Sequence, residues 1–128
     1  MIFSLAVYSS PSSTISYSAW QFAKSIQNSE HQLYRVFFYL DGVYNANQLM
    51  TPPTDELNMA KLWKELNAEK SSDLCVCVAA GIRRGVVDKA EAARHNLNAF
   101  NLAEGFEIVG LGQLLDASVK SDRLVTFG

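Results

Sequence analysis

The 128-residue sequence predicts a single α/β domain whose sheet has four or five strands, mostly parallel. Three observations lead there. Apolar, β-rich runs alternate along the chain with stretches whose apolar residues recur at helical spacing. The order strand, helix, strand, helix, strand is solved most simply by a parallel sheet with right-handed crossovers. A composition of 48% hydrophobic and 19% charged residues, with no repeat, linker or low-complexity tract, suits one ordinary core that needs no staples.

Ile2 to Tyr8 is the first strand, and the turn residues Ser9 to Ser13 break it. From Ile15 to about Asn28, Ala19, Phe22, Ala23 and Ile26 make a helical stripe, with serine and threonine at 12–14 as N-cap candidates. The loop before this helix has no glycine, and both glycine-rich phosphate-binding patterns are absent, so it reads as a plain βα connection. Leu33 to Leu40 is the second strand, apolar enough to be covered on both faces. Asp41 to Thr54 is then long for a βα loop and is read either as a flap or subunit contact presenting Tyr44, Asn45 and Asn47, or as an ordered surface loop. Asp55 is placed to cap a helix striped by Met59, Leu62, Trp63 and Leu66 and ending near Lys70.

The chain centres on Leu74 to Val87, LCVCVAAGIRRGVV, read as a central strand ending in a tight turn. Residues two apart share a strand face, so Cys75 and Cys77 project together while Leu74, Val76 and Val78 cover the other side. Cys77 lies at the carboxyl end, where open parallel sheets expose their crevices and a thiol can be reached. Backbone N–H groups of the following segment, with Arg83 or Arg84, are candidates to stabilise a thiolate there. Against this stands the tendency of free cysteine to pack as a small hydrophobe. Asp88 and Glu91 then resemble a capping box for a helix through Ala92 to about Asn96, and His95 reads as a solvated helix-end residue. Leu97 to Gly105 is irregular and Phe106 to Val109 a short strand. Leu111, Leu114, Leu115 and Val119 form the stripe of a last helix, and Leu124 to Phe127 closes the chain as a strand.

Several functions are disfavoured. Eleven basic and 13 acidic residues give a net charge of -2, unlike the basic excess of a nucleic-acid surface. Two cysteines one residue apart make no disulfide framework, and with two histidines they lack the spacing of a zinc site, which points to a reducing compartment. The N-terminal MIFSLAVYSS has no basic region and too short an apolar run for a signal peptide or a spanning helix, so a cytoplasmic protein is expected. A serine triad has no G-x-S-x-G elbow to start from, and only His31 or His95 as base.

Three strings carry a resemblance: CVAAGIRRGVVD from Cys77 to Asp88, FFYLDGVYNANQL from Phe37 to Leu49, and GLGQLLDASVKSDRLVTF from Gly110 to Phe127. Together, and in this order, they resemble the DsrE family and within it the TusD-type sulfurtransferase subunits. The likeness covers nearly the whole chain. It implies a cytoplasmic, flavodoxin-like three-layer subunit that joins homologous TusB-like and TusC-like subunits in a heterohexamer with two copies of each. It further implies that Cys77, by its place before Val78, Ala79 and Ala80, is the catalytic cysteine. That residue would accept sulfur as a persulfide from a TusA-like donor and pass it to a TusE-like acceptor, toward 2-thiolation of the tRNA wobble uridine. Neither a metal nor an organic cofactor is implied, nor direct contact with nucleic acid or membrane.

Cys75 has no counterpart in the family pattern. Same-face strand positions lie roughly 6.5–7 Å apart, at or beyond the comfortable span of a disulfide, so Cys75 is read as core packing. Arg83 and Arg84 are read first as surface or partner contacts. Two rivals remain: a scaffold subunit in which Cys77 is buried and inert, and a persulfide carrier in DsrEFH-type sulfur oxidation.

Overall fold

The computed structural model describes residues 1–128. Strands β1 (Ile2–Val7), β2 (Gln32–Phe38), β3 (Asp73–Cys77), β4 (Phe106–Val109) and β5 (Arg123–Phe127) pair in parallel throughout, in the order β4-β3-β2-β1-β5. From β1 to β4 each strand is laid beside the last in one direction. Right-handed connections therefore carry α1 (Thr14–Gln27) and α2 (Met59–Glu69) to one face of the sheet. The chain then returns to the far side of β1, which brings α5 (Gly112–Lys120) to the opposite face. The result is the expected three-layer α/β arrangement, with one correction: the central strand is β2, and β3 is second from the edge.

Register assigns each face. Phe38 packs edge-on against Trp63 of α2, with ring centroids 5.2 Å apart, and lies 5.5 Å from Phe106. Paired residues of neighbouring strands share a side, so Leu5, Val36, Leu74 and Val76 join this layer, the main core. A side chain of this size, fully removed from water, contributes about 1.5–3 kcal/mol. On the other face Ser4 bonds Ser121 beyond the end of α5, and Arg35 bonds Asp116 within it. Ala6, Phe37, Cys75 and Cys77 follow by alternation. Opposite Phe3 and Ser4, β2 carries an extra residue, Tyr34, which lets Tyr34 and Arg35 both reach Asp116.

Caps fall where short polar side chains meet exposed N–H groups. Ser13 caps α1 as expected. Asn58, not Asp55, caps α2, because the helix begins four residues beyond the aspartate and the carbonyl-bonded Asn58 accepts from Lys61 N–H. Asp88 caps α4 (Lys89–Arg94) through Glu91 N–H at 2.8 Å. The Glu91 carboxylate turns instead to Arg94 and His95, so only one half of the expected box forms.

Two other expectations change. The start of the long segment after β2 is a 3-10 helix, Leu40–Ala46, entered through Leu40 in the left-handed region at φ 50°. Asn45 is wholly buried there, donating to Gly42 and Ser9 carbonyls and Ser16 and accepting from Trp63 Nε1, so it fastens the segment rather than presenting it. Asn47 is likewise tied, to Asn101. In α5 only Ala117 is fully buried, while Leu111, Leu115 and Val119 are 53%, 67% and 76% exposed. Of the stripe Leu111, Leu114, Leu115 and Val119, Leu114 packs against the core and the other three form an outward row, four residues per step. No helix is long and apolar enough to cross a membrane.

Candidate functional site

Cys77 is the last residue of β3 and the N-cap of α3 (Val78–Arg84). The tight turn expected after the strand is therefore a helix of seven residues, and the reversal comes later. Gly85, at φ 74°, ends α3 in the left-handed region, and Val86 N–H returns to the Gly81 carbonyl at 2.9 Å. A Cβ on Gly81 would stand 2.5 Å from the Val86 carbonyl oxygen, so the glycine permits the close approach that buries Val86 and Val87. Small residues in AAG and the glycine of RRG thus have separate jobs: the first packs the helix onto the sheet, the second turns the chain back.

The two cysteines do share a face, but both are free and each is only 2% exposed. Strand β4 runs beside them, Glu107 level with Cys75 and Val109 with Cys77. Ready access to the Cys77 thiol, expected from its place at the strand end, is not present in the isolated chain. Neither arginine serves it. Arg84 Nε binds Asp41 at 2.8 Å and its Nη1 binds the Ala80 carbonyl, which pins α3 to the 3-10 helix, while Arg83 projects into solvent.

Deeper along the same face lies a cluster that sequence reasoning passed over. The Arg35 side chain is 7% exposed and pairs with Asp73 at 3.0 Å and Asp116 at 2.8 Å; Nη1 also meets the Gln113 carbonyl. Its Nε alone has no hydrogen-bond partner. Tyr34 hydroxyl and the Arg35 guanidinium hold the Asp116 carboxyl down at about 2, and Lys120 completes the group at 3.2 Å. Burial pushes the Cys75 thiol up to about 11, against the opposing pull of the Arg35 charge nearby. The signal was present in LYRVFF: a lone arginine inside an apolar run of an interior strand must be paired.

Other candidates are placed elsewhere. His95 sits 3.5 Å from Glu91 at the end of α4, and His31 contacts the N-terminal amine at 2.9 Å, so the histidines stay apart from the thiols. A cavity of about 720 Å³ between the 48–56 segment and α2, bounded by Lys61, Lys64 and Glu104, includes neither cysteine.

Residues 1–127 match the profile of the DsrE/DsrF-like family. The chain belongs to this family. Among its DsrE relatives is a protein of Allochromatium vinosum named "Putative sulfurtransferase DsrE", 49% identical over 111 residues, which are 87% of this chain and 85% of that one. The crystal structure of the YchN protein from E. coli superposes with a TM-score of 0.76 over 98% of this chain and 97% of that one, at 20% identity. That likeness establishes the DsrE-type fold.

Proposed function

We propose that this chain is a sulfurtransferase subunit that carries sulfane sulfur as a persulfide on Cys77. The observation that carries the reading is the position of Cys77, at the carboxyl end of an interior parallel strand and opening α3, in a DsrE-family chain with a sulfurtransferase-named relative at 49% identity. The chemistry is thiol exchange in two steps. Cys77 thiolate attacks the outer sulfur of a TusA-like donor's persulfide, and the donor leaves as a thiolate. An acceptor thiolate of TusE type then attacks the outer sulfur on Cys77, which leaves as a thiolate in turn. The destination is 2-thiouridine at the tRNA wobble position, in a cytoplasmic heterohexamer with TusB-like and TusC-like subunits. The outward row of Leu111, Leu115 and Val119 on α5 supports assembly, being apolar surface that a lone domain leaves wet.

Because Cys77 is 2% exposed, exchange requires the start of α3 or its β4 neighbours to open, or a docking partner to open them. The same burial favours a second reading, an inert scaffold subunit. A third reading, a DsrEFH-type carrier in sulfur oxidation, leaves the persulfide chemistry unchanged and is equally consistent with a relative named as a DsrE sulfurtransferase.

The test is incubation of the purified protein with a persulfide-loaded TusA-like donor, followed by intact and peptide mass without reductant, for wild type, Cys77→Ser and Cys75→Ser. One added sulfur that maps to Cys77 at the earliest times, survives on Cys77 in Cys75→Ser and is lost in Cys77→Ser is the expected result. No addition, even with the partner subunits present, overturns the carrier reading in favour of the scaffold.

A further inference from the structure

The sequence context of Cys75 suits core packing, yet the residue stands beside a buried guanidinium with a donor to spare. We infer that Cys75 is a second sulfur-holding site, which takes the outer sulfur of a Cys77 persulfide and keeps it next to Arg35. The inference rests on the carrier reading of Cys77.

Three independent observations bear on it. The thiols lie two residues apart on one strand and point to the same face, with no disulfide between them. Their Cα separation of roughly 6.5–7 Å is wide for a disulfide, but a sulfur already bonded to Cys77 reaches about 2 Å farther toward Cys75. A gap that resists oxidation therefore still permits transfer of a sulfur atom. Second, Arg35 spends both terminal nitrogens on Asp73, Asp116, Tyr34 and Gln113, while its Nε is buried without an acceptor. Such orphaned donors are rare in folded proteins, and this one is free to meet an acceptor added beside Cys75. A persulfide is more acidic than its parent thiol, and its terminal sulfur is the anionic acceptor that this N–H lacks. Third, the neighbour of Cys75 on β4 is the exposed Glu107, a movable side chain on the side where added bulk must be taken up.

The step is isosulfur and redox-neutral. As its minor thiolate, which the Arg35 charge favours against burial, Cys75 Sγ attacks the outer sulfur of Cys77–S–SH; the bond to Cys77 breaks and its electron pair stays on Cys77 Sγ. The proton that Cys75 carried as a thiol ends on Cys77, and one S–S bond replaces another. The new Cys75–S–SH then releases its proton to solvent and is held as the anion by Arg35. Its burial shields it from reductants and from chance acceptors, so sulfur loaded faster than an acceptor collects it is stored rather than lost.

Glutathione persulfide serves as the probe, with the full chain alkylated under denaturing conditions at successive times and fragment ions read on either side of Val76. In wild type the added sulfur should appear first on Cys77 and then on Cys75. Cys77→Ser should lower the Cys75 signal at least tenfold, and Cys75→Ala should leave loading of Cys77 unchanged. Arg35→Lys, which keeps a charge but removes Nε, should cut the share found on Cys75 several-fold while Cys77 loads as in wild type. Sulfur confined to Cys77 at all times overturns the second site and leaves the carrier reading standing. Sulfur on Cys75 at the wild-type rate in Cys77→Ser overturns the relay between them. Absence from both residues removes the carrier reading itself.

Discussion

Replacing Gly42 by alanine should unfold the protein at a markedly lower temperature, because two backbones meet at that residue. A Cβ there would fall inside the van der Waals shell of the Val7 carbonyl oxygen and stand 2.8 Å from its carbon. Neither is the end of a flexible side chain, so β1 or the 3-10 helix has to move. The same Val7 oxygen accepts from Tyr39 N–H at 3.0 Å, and the Gly42 carbonyl accepts from Asn45 Nδ2 at 2.9 Å. Displacement thus strains a packed contact and at least one buried hydrogen bond, which together cost about 2–4 kcal/mol. For a chain of this length each kcal/mol is worth roughly 4 °C, so the midpoint should fall by about 8–16 °C. Circular dichroism melts of Gly42→Ala and Gly112→Ala make the comparison. A Cβ on Gly112 meets nothing within 4 Å at the start of α5, so that variant should hold or gain about 0.5 kcal/mol. A Gly42→Ala midpoint within ~2 °C of wild type would refute the contact.

Acid should loosen the α5 face first. The Asp116 carboxyl is held at about 2, below its ordinary 3.8, so its contribution is present above about pH 4 and is lost as the pH falls toward 2. Urea midpoints between pH 2 and 5 should therefore decline more steeply in wild type than in Asp116→Asn, and equal slopes would remove Asp116 from the account. Ellman's reagent should modify the two cysteines at least about 100-fold more slowly in the native protein than in urea, an opening free energy of about 2.7 kcal/mol. Reaction of either thiol at the denatured rate would contradict their burial.

The elements that the sequence made legible are those whose signal is local. Residues Ile2 to Val7 and Leu33 to Phe38 are strands because β-rich apolar runs can bury both faces only inside a sheet, and Ser13 and Asp88 cap because short oxygen-bearing side chains lie next to a helical stripe. The shared face of Cys75 and Cys77 follows from alternation alone. What failed depended on partners distant in sequence. Periodicity marks Leu111, Leu115 and Val119 as one row of α5 but carries no sign for which side that row faces. Here the bonds of Asp116 to Tyr34 and Arg35 of β2 and the burial of Ala117 turn it outward. The choice of Asn58 over Asp55 depends on the Met50 carbonyl, and the burial of Cys77 on the neighbouring β4. The Arg35 cluster needs Asp73 and Asp116, the latter 81 residues away in sequence, before its charge makes sense inside a strand.

The sheet order also has a consequence for synthesis. Strand β1 precedes all the others, yet its outer edge pairs with β5, the last of them, from Phe3 with Arg123 to Val7 with Phe127. A nascent chain carries β1, β2 and β3 side by side while that edge keeps its open row of N–H and C=O groups, the kind of edge that recruits a strand from another molecule. Closure waits for the final strand, so a ribosome stalled after α5 would release a sheet complete in its core and adhesive along one border.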